Sequence, residues 1–212
     1  MNLAVKAALA VAIVGMLADI GMVLTRNQAM RLFTKPIGLA ALTFAAIACI
    51  PASSSQRAWF VAAFALSLAG DVFLLWEDKL FIPGLVSFLL GHVAFVIGFC
   101  AHGQRAGWAL LGVMVVTLAL APVAPRLLSA IARGPERQMA LPVAIYMVVI
   151  SAMSITAVGS GPLVAMLGAW LFMVSDTTLA WNRFVKPRPA SGVVVMVTYF
   201  AAQLLLFFAL LP

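Results

Sequence analysis

Charge is what this sequence has least of. Lys, Arg, Asp and Glu make up 9% of its 212 residues, and hydrophobic residues make up 65%. Soluble domains carry about 25% charged residues and roughly 45–50% apolar ones. A chain this poor in charge cannot cover a water-facing surface, so its solvent is lipid. No polar stretch is long enough to form a soluble domain. Cysteine is also scarce: Cys49 and Cys100 are the only two. With no CxxC pair they exclude a disulfide framework. Both fall near the outer ends of apolar segments and read as small apolar residues in lipid, with a single bridge as the alternative. The only histidines are His92 and His102. Zinc takes three or four ligands at recognisable spacings, so neither a metal site nor any other cofactor is expected. There is no GxSxG, no serine–histidine–acid pattern and no phosphate-cradling glycine loop. The formal net charge is +7, but the basic residues lie in short loops. They suit membrane topology and lipid headgroups, not nucleic acid.

Long apolar runs fill the rest. A bilayer span needs about 20 mainly apolar residues, and eight such segments can be read: 3–24, 36–51, 58–76, 80–100, 106–124, 139–158, 162–181 and 192–211. The expected fold is all-α, a single polytopic transmembrane domain of about eight helices over residues 1–212. The first run follows Lys6 and contains Asp19, so it reads as a retained helix and not as a signal peptide. Pro36 and Pro162 fit first-turn positions, where the missing N–H costs nothing. Pro51 and the run Ser53, Ser54, Ser55 mark a turn, and Pro122, Pro125, Gly134 and Pro135 bracket the longest loop. Glu77, Asp78 and Lys79 read as solvated loop charges.

The loops after the first, third, fifth and seventh segments hold ten of the thirteen Lys and Arg residues; Lys6, Arg57 and Arg105 fall on the other side. The positive-inside rule places the ten in the cytoplasm and both termini outside. Trp76 and Trp181 then mark one interface, and Trp59 and Trp108 the other. Residues 66–76, LSLAGDVFLLW, are echoed by 171–181, LFMVSDTTLAW, at an offset of 105 residues. The echo suggests two parallel four-helix halves, as in membrane folds built from repeats.

Ionisable residues inside spans are costly and usually face a cavity or a partner. Asp19, Asp71 and Asp176 each lie about five residues, roughly 7–8 Å at 1.5 Å per residue, from the cytoplasmic ends of helices that run the same way. Asp19 reads as a snorkelling end residue. Asp71 and Asp176 read as a functional pair, or else as structural acids bonded to Ser67, Ser175 and the backbone. Gly70 beside Asp71 allows a close approach. His92 lies near mid-membrane, either packed or functional. Lys35 precedes Pro36 at the expected start of the second helix, where a cation opposes the helix dipole. It serves as a topology charge or pairs with a carboxylate or a lipid phosphate. Tyr199 and Gln203, a turn apart, serve as interhelical hydrogen bonds or as ligand contacts.

These residues carry a resemblance. Thr34-Lys35-Pro36, Ser67 with Gly70-Asp71 and Leu74, Gly91-His92 with Phe95, Gly168-Ala169 with Phe172 and Ser175-Asp176, and Thr198-Tyr199 with Ala202-Gln203 together resemble the YhhN family of lysoplasmalogenases. The resemblance spans nearly the whole chain. It implies eight helices and hydrolysis of the vinyl ether bond of a lysophospholipid substrate, a lysoplasmalogen, to a fatty aldehyde and a glycerophospho-base. That chemistry needs a proton delivered to carbon, so one acid must be protonated while a second carboxylate stays ionised. Two acids in unequal environments divide those roles, as in glycoside hydrolysis.

Asp71 and Asp176 are the expected catalytic pair, with the choice of acid left open, and His92 relays a proton or orients water. Lys35 is expected to hold the lipid phosphate as a point charge, with Ser67, Ser175, Tyr199 and Gln203 as further substrate contacts. A bacterial inner (cytoplasmic) membrane is the expected location. The competing reading is a proton-coupled transporter of small molecules or lipids, because mid-membrane ionisable groups and a two-half architecture suit transport as well.

Overall fold

The computed structural model describes residues 1–212 except for the side chains of Glu77 and Asp78, so the reading of those two as loop charges lies outside the described residues. The chain is all-helical: α1 (Leu3–Leu24), α2 (Gln28–Ala48), α3 (Ser54–Phe73), α4 (Glu77–His102), α5 (Ala106–Leu120), α6 (Ala124–Arg133), α7 (Ala140–Ser160), α8 (Leu163–Phe184) and α9 (Ser191–Phe208). Seven of these are long and apolar enough to cross a membrane. The pair α5 and α6 passes the same test together, with a bend of 48° at the break.

The bend corrects the expected loop after the fifth segment. Residues 124–133 form the short helix α6, with Leu127 and Ile131 buried and Arg126 and Arg133 exposed. Pro125 starts this helix; at a first-turn position its missing N–H removes no intrahelical bond. The buried face of α6 packs with Met139 and Val143, while α5 runs antiparallel to α7. At one end Arg105 N donates to Gly159 O (2.9 Å). Further along, Gly112 lies against Ile155 and Val158. At the other end Leu120 and Ala124 share a groove with Ala144 and Met147. The fifth segment is thus a bent pair in which α5 lies along α7 and α6 turns off it, so the chain has seven spans, or eight if the pair counts as one.

The second span also departs from expectation. α2 begins at Gln28, capped by the Asn27 side chain, which accepts from Met30 N at 3.2 Å. Pro36 therefore sits inside a helix and not in its first turn. Arg31 and Lys35 made this stretch look like a loop. Within the bundle their charges are met by Asp19 and Asp71, which lets them lie in a span.

Three smaller corrections concern helix ends. Ser53 is the cap of α3, so Ser54 and Ser55 are helical. Pro162 is the cap of α8 and precedes its first turn. Helix α4 already includes residues 77–79, and it kinks at Leu80. Cys49 and Cys100 are both free thiols.

In lipid, helices gain little hydrophobic drive toward one another, so close backbone contact carries the packing. At the crossing of α1 and α2, a Cβ added to Gly15 would lie 3.0 Å from Gly38 N. Between α3 and α4, one added to Gly91 would lie 3.3 Å from Ala63 O. Phe60, Phe64, Phe95 and Phe99 fill the rest of the α3–α4 seam with edge-to-face contacts, ring centroids 4.9 Å apart for Phe60 and Phe95. The last helix ends where α2 ends, with Ala52 N donating to Leu210 O at 2.8 Å. Val23, at the end of α1, meets Gly192 at the start of α9. Helices α1 and α9 thus run in opposite directions, which puts the first and last helix ends on one face.

Candidate active site

Two buried polar clusters stand side by side in the half of the bundle nearest the α1–α2, α3–α4 and α8–α9 turns. In the first, Lys35 Nζ lies 3.2 Å from Asp71 Oδ1 and Tyr199 donates its hydroxyl to Asp71 Oδ2 at 2.8 Å. All three residues are buried. This corrects the expected position of Lys35, which is two turns inside α2 and not at its start, and of the partners expected for it the structure supplies the carboxylate. In the second cluster, Tyr146 donates to Asp176 Oδ2. His92 Nε2 approaches both Tyr146 Oη (2.8 Å) and Asp176 Oδ2 (3.0 Å). Among the described residues His92 Nδ1 is buried with no partner. The tautomer with its proton on Nε2 therefore fits, since the acceptors found among those residues lie on that side.

The two clusters are built crosswise. Asp71 and Asp176 sit at matching positions of the third and seventh spans. Each is met by a residue from the preceding span, Lys35 or Tyr146. Each is also met by a residue from the last span of the other half: Tyr199 of the eighth for Asp71, and His92 of the fourth for Asp176. Phe88 and Phe172 lie between the clusters. Phe88 is edge-on to Phe172 and Tyr199, with centroids 6.3 and 5.8 Å away, and Phe172 is edge-on to His92 at 4.6 Å. Gly70 makes room for this arrangement, because a Cβ there would fall 2.6 Å from the Phe88 ring.

A cavity of about 220 Å³ opens onto both carboxylates. Lys35, Asp71, Tyr146, Ser175, Asp176 and Tyr199 line its inner part, and Arg31, Asn182 and Ser191 its outer part. The structure thus brings Asp71, Asp176, Lys35, Tyr199 and Ser175 to one cavity and sets His92 one layer behind it. Ser175 spends its hydroxyl on Val195 O (3.1 Å), which ties α8 to α9. Ser67 does not reach the cavity; it is buried where Gly91 of α4 comes against α3. Gln203 is fully buried a turn from Tyr199, and neither its amide nitrogen nor its oxygen has a partner.

Asp19 is a further correction. It does not snorkel: it is fully buried and accepts from Arg31 Nε and Nη2, both at 3.2 Å, and from Thr34 Oγ1 at 3.0 Å. Arg31 also lines the cavity. Tyr146 and Arg31 were missed from the sequence. For Tyr146 a signal existed: the chain has only two tyrosines, both lie in apolar helices, and a buried phenol needs a partner. For Arg31 there was none, since it reads as one more basic loop residue.

Apolar helices around one buried and one partly buried carboxylate, with tyrosine donors and a cavity reaching one face, define a helical membrane protein with acid–base groups in its interior. A model of the YhhN family matches residues 30–210, and the chain belongs to that family. It is 37% identical over 144 residues to lysoplasmalogenase TMEM86B of Homo sapiens, covering 68% of this chain and 59% of that protein. It is 33% identical over 153 residues to lysoplasmalogenase TMEM86A of Bos taurus, covering 66% and 60%. It is 29% identical over 170 residues to a lysoplasmalogenase of Mycobacterium tuberculosis, covering 78% and 65%. The chain thus spans about three fifths of the length of the curated relatives it matches. No solved structure matches.

Proposed function

We propose that this protein is a membrane-embedded lysoplasmalogenase, which hydrolyses the vinyl ether bond of a lysoplasmalogen to a fatty aldehyde and a glycerophospho-base. One observation carries the reading and bears on which acid does what: the two carboxylates of the cavity are bound unequally. Both oxygens of Asp71 are engaged, one by a cation and one by a phenol. Asp176 receives its partners on Oδ2, and among the described residues no hydrogen bond reaches Oδ1. Asp71, held by Lys35, is the carboxylate that stays ionised. Asp176 Oδ1 is the group free to carry a proton to substrate.

In this scheme Asp176 transfers its proton to the outer carbon of the C=C bond. The positive charge that develops on the adjacent carbon and the ether oxygen faces the Asp71 carboxylate. A fixed anion aimed at developing charge in a water-poor site is an effective stabiliser. Water then adds to the charged carbon and gives up a proton to the Asp176 carboxylate, leaving a hemiacetal. The same proton passes to the glycerol oxygen as the C–O bond breaks, and the hemiacetal hydroxyl gives its proton to the Asp176 carboxylate, which releases aldehyde and alcohol and restores the protonated acid. Tyr146 and His92 hold Asp176 Oδ2, so that Oδ1 points at the substrate. The relatives named lysoplasmalogenase support this reading over transport. Purified protein incubated with lysoplasmalogen is expected to release fatty aldehyde, while the acyl analogue, which has no vinyl ether, yields none. Wild-type protein that makes no aldehyde while a curated relative does so in the same assay would overturn the reading.

The clustering of Lys and Arg supports a cavity mouth on the cytoplasmic side, with both helix-bundle ends, before α1 and after α9, outside. Reporters inserted near residue 135 are expected to be active only as cytoplasmic reporters, and those fused after residue 212 only as external ones. The opposite pattern overturns the orientation.

A further inference from the structure

The polar cavity is one side of Asp176 and Tyr146. On their other side lies a second space, lined by the same two residues and otherwise almost entirely apolar: Leu127 of α6, Val143 and Ile150 of α7, and Met173 of α8. It holds only about 30 Å³, roughly one water's share of liquid volume. Leu120 and Met147 line it too, and these two also line a third space, an open groove of about 490 Å³ between α5–α6 and α7. That groove runs along α7 from Ala144 to Ile155. The three spaces form a series, from polar cavity through the two reacting-site residues to an apolar slot and then an apolar groove on the flank of the bundle.

We propose that the slot and groove are the subsite and lateral entry for the hydrocarbon chain of the lipid substrate, with the α5–α6 bend as its frame. The proposal rests on the vinyl ether reading above and adds where the chain goes. The occupant follows from chemistry on both sides of Asp176. The bond to be protonated joins a polar glycerol to an alkenyl chain. The carboxylate that faces it stands between a cavity bearing Arg31, Lys35 and Asn182 and a slot of aliphatic and thioether side chains. A chain lying in that slot would place the bond at Asp176 and the glycerophosphate in the polar cavity, each part in a matching solvent. Entry from the flank spares the chain from crossing the charged cavity, where apolar surface would stay exposed to water and ions.

The slot is narrow as it stands, and its walls suit widening. Met147 and Met173 are unbranched thioethers that adapt to what they touch. Leu127 is carried by the ten-residue helix α6, hinged on the break after α5. Chain entry needs those side chains to shift and needs no movement of the helices that hold Asp71 and Lys35. The bend of 48° is then more than a defect in a span, because it carries α6 across the end of the slot.

Two measurements test this. Met147→Trp, at the half-buried junction of slot and groove, and Ile150→Trp, deeper in the slot, narrow the path. Each is expected to lower the ratio of kcat/KM for a long-chain lysoplasmalogen over a short-chain 1-alkenyl glycerophosphate analogue by about tenfold, the scale of a steric misfit in an apolar pocket. An unchanged ratio in a folded Met147→Trp protein overturns the proposal. The second measurement needs no turnover. A long-chain lysophospholipid with a diazirine at the end of its chain is expected to crosslink within residues 144–155 of α7 or on α5. Labelling confined to other helices overturns the chain path even if aldehyde is produced. Labelling on α7 without aldehyde production sustains the chain path and removes the vinyl ether reading instead.

Discussion

Asp176→Asn is expected to abolish aldehyde release, by about 10²–10⁴-fold or more, the range for loss of a general acid, while leaving thermal unfolding near the wild-type temperature. The structural reason for the second half is specific to this residue. Its partners are the Tyr146 hydroxyl and the His92 ring, and no Lys or Arg is paired with it. An asparagine oxygen can still accept from Tyr146, so the neighbourhood keeps its hydrogen bond and loses only the transferable proton. Tyr146→Phe removes one support of Asp176 and keeps the acid itself. It should cost less turnover than Asp176→Asn, because the carboxyl that donates the proton is still present. Steady-state aldehyde release, on protein with a verified melting curve, reads all of this. An Asp176→Asn protein with wild-type turnover would falsify the assignment of the acid.

Lys35 is expected to matter most for stability. From the sequence it looked like a headgroup cation whose loss would weaken binding. In the structure it is 5% exposed and lies 3.2 Å from Asp71, itself 1% exposed. Removing one partner of a buried ion pair strands the other charge, at a cost of about 3–5 kcal/mol, whereas replacing both by apolar residues is often neutral. Lys35→Met and Asp71→Asn are therefore each expected to lower the unfolding temperature markedly. The double variant Lys35→Met with Asp71→Leu should recover much of the loss. All three should be inactive, because each removes the fixed carboxylate or its counter-ion. Thermal unfolding in detergent, followed by helix content, checks the ordering. If Lys35→Met melts like the wild type and only raises KM, then the cation faces substrate and the pairing with Asp71 has little weight.

The contrast between these two results also explains how far the sequence could be read. The helical spans were legible to within one, because burial in lipid leaves an apolar run of fixed length. Asp71 and Asp176 stood out for the same reason: an acid is rare in such a run, and two at matching positions in echoed segments are rarer. The start of α2 was illegible. Arg31 and Lys35 look like loop charges until their partners are known, and the partners, Asp19 and Asp71, lie on other helices. Helix α6 was hidden too, since Pro125 signals a loop and a helix start equally well.

What the sequence determined by itself was the solvent of this protein, its all-helical architecture and the two acids that stand out in its apolar runs. All of these follow from local composition and period. What the tertiary structure alone decided was which partners each carboxylate has. Asp71 received a cation and Asp176 a phenol and an imidazole, by an exchange of residues between the two halves of the bundle. No local pattern encodes that exchange, because helices from opposite ends of the chain meet only when the bundle is packed, and it is the exchange that makes two similar acids chemically unequal.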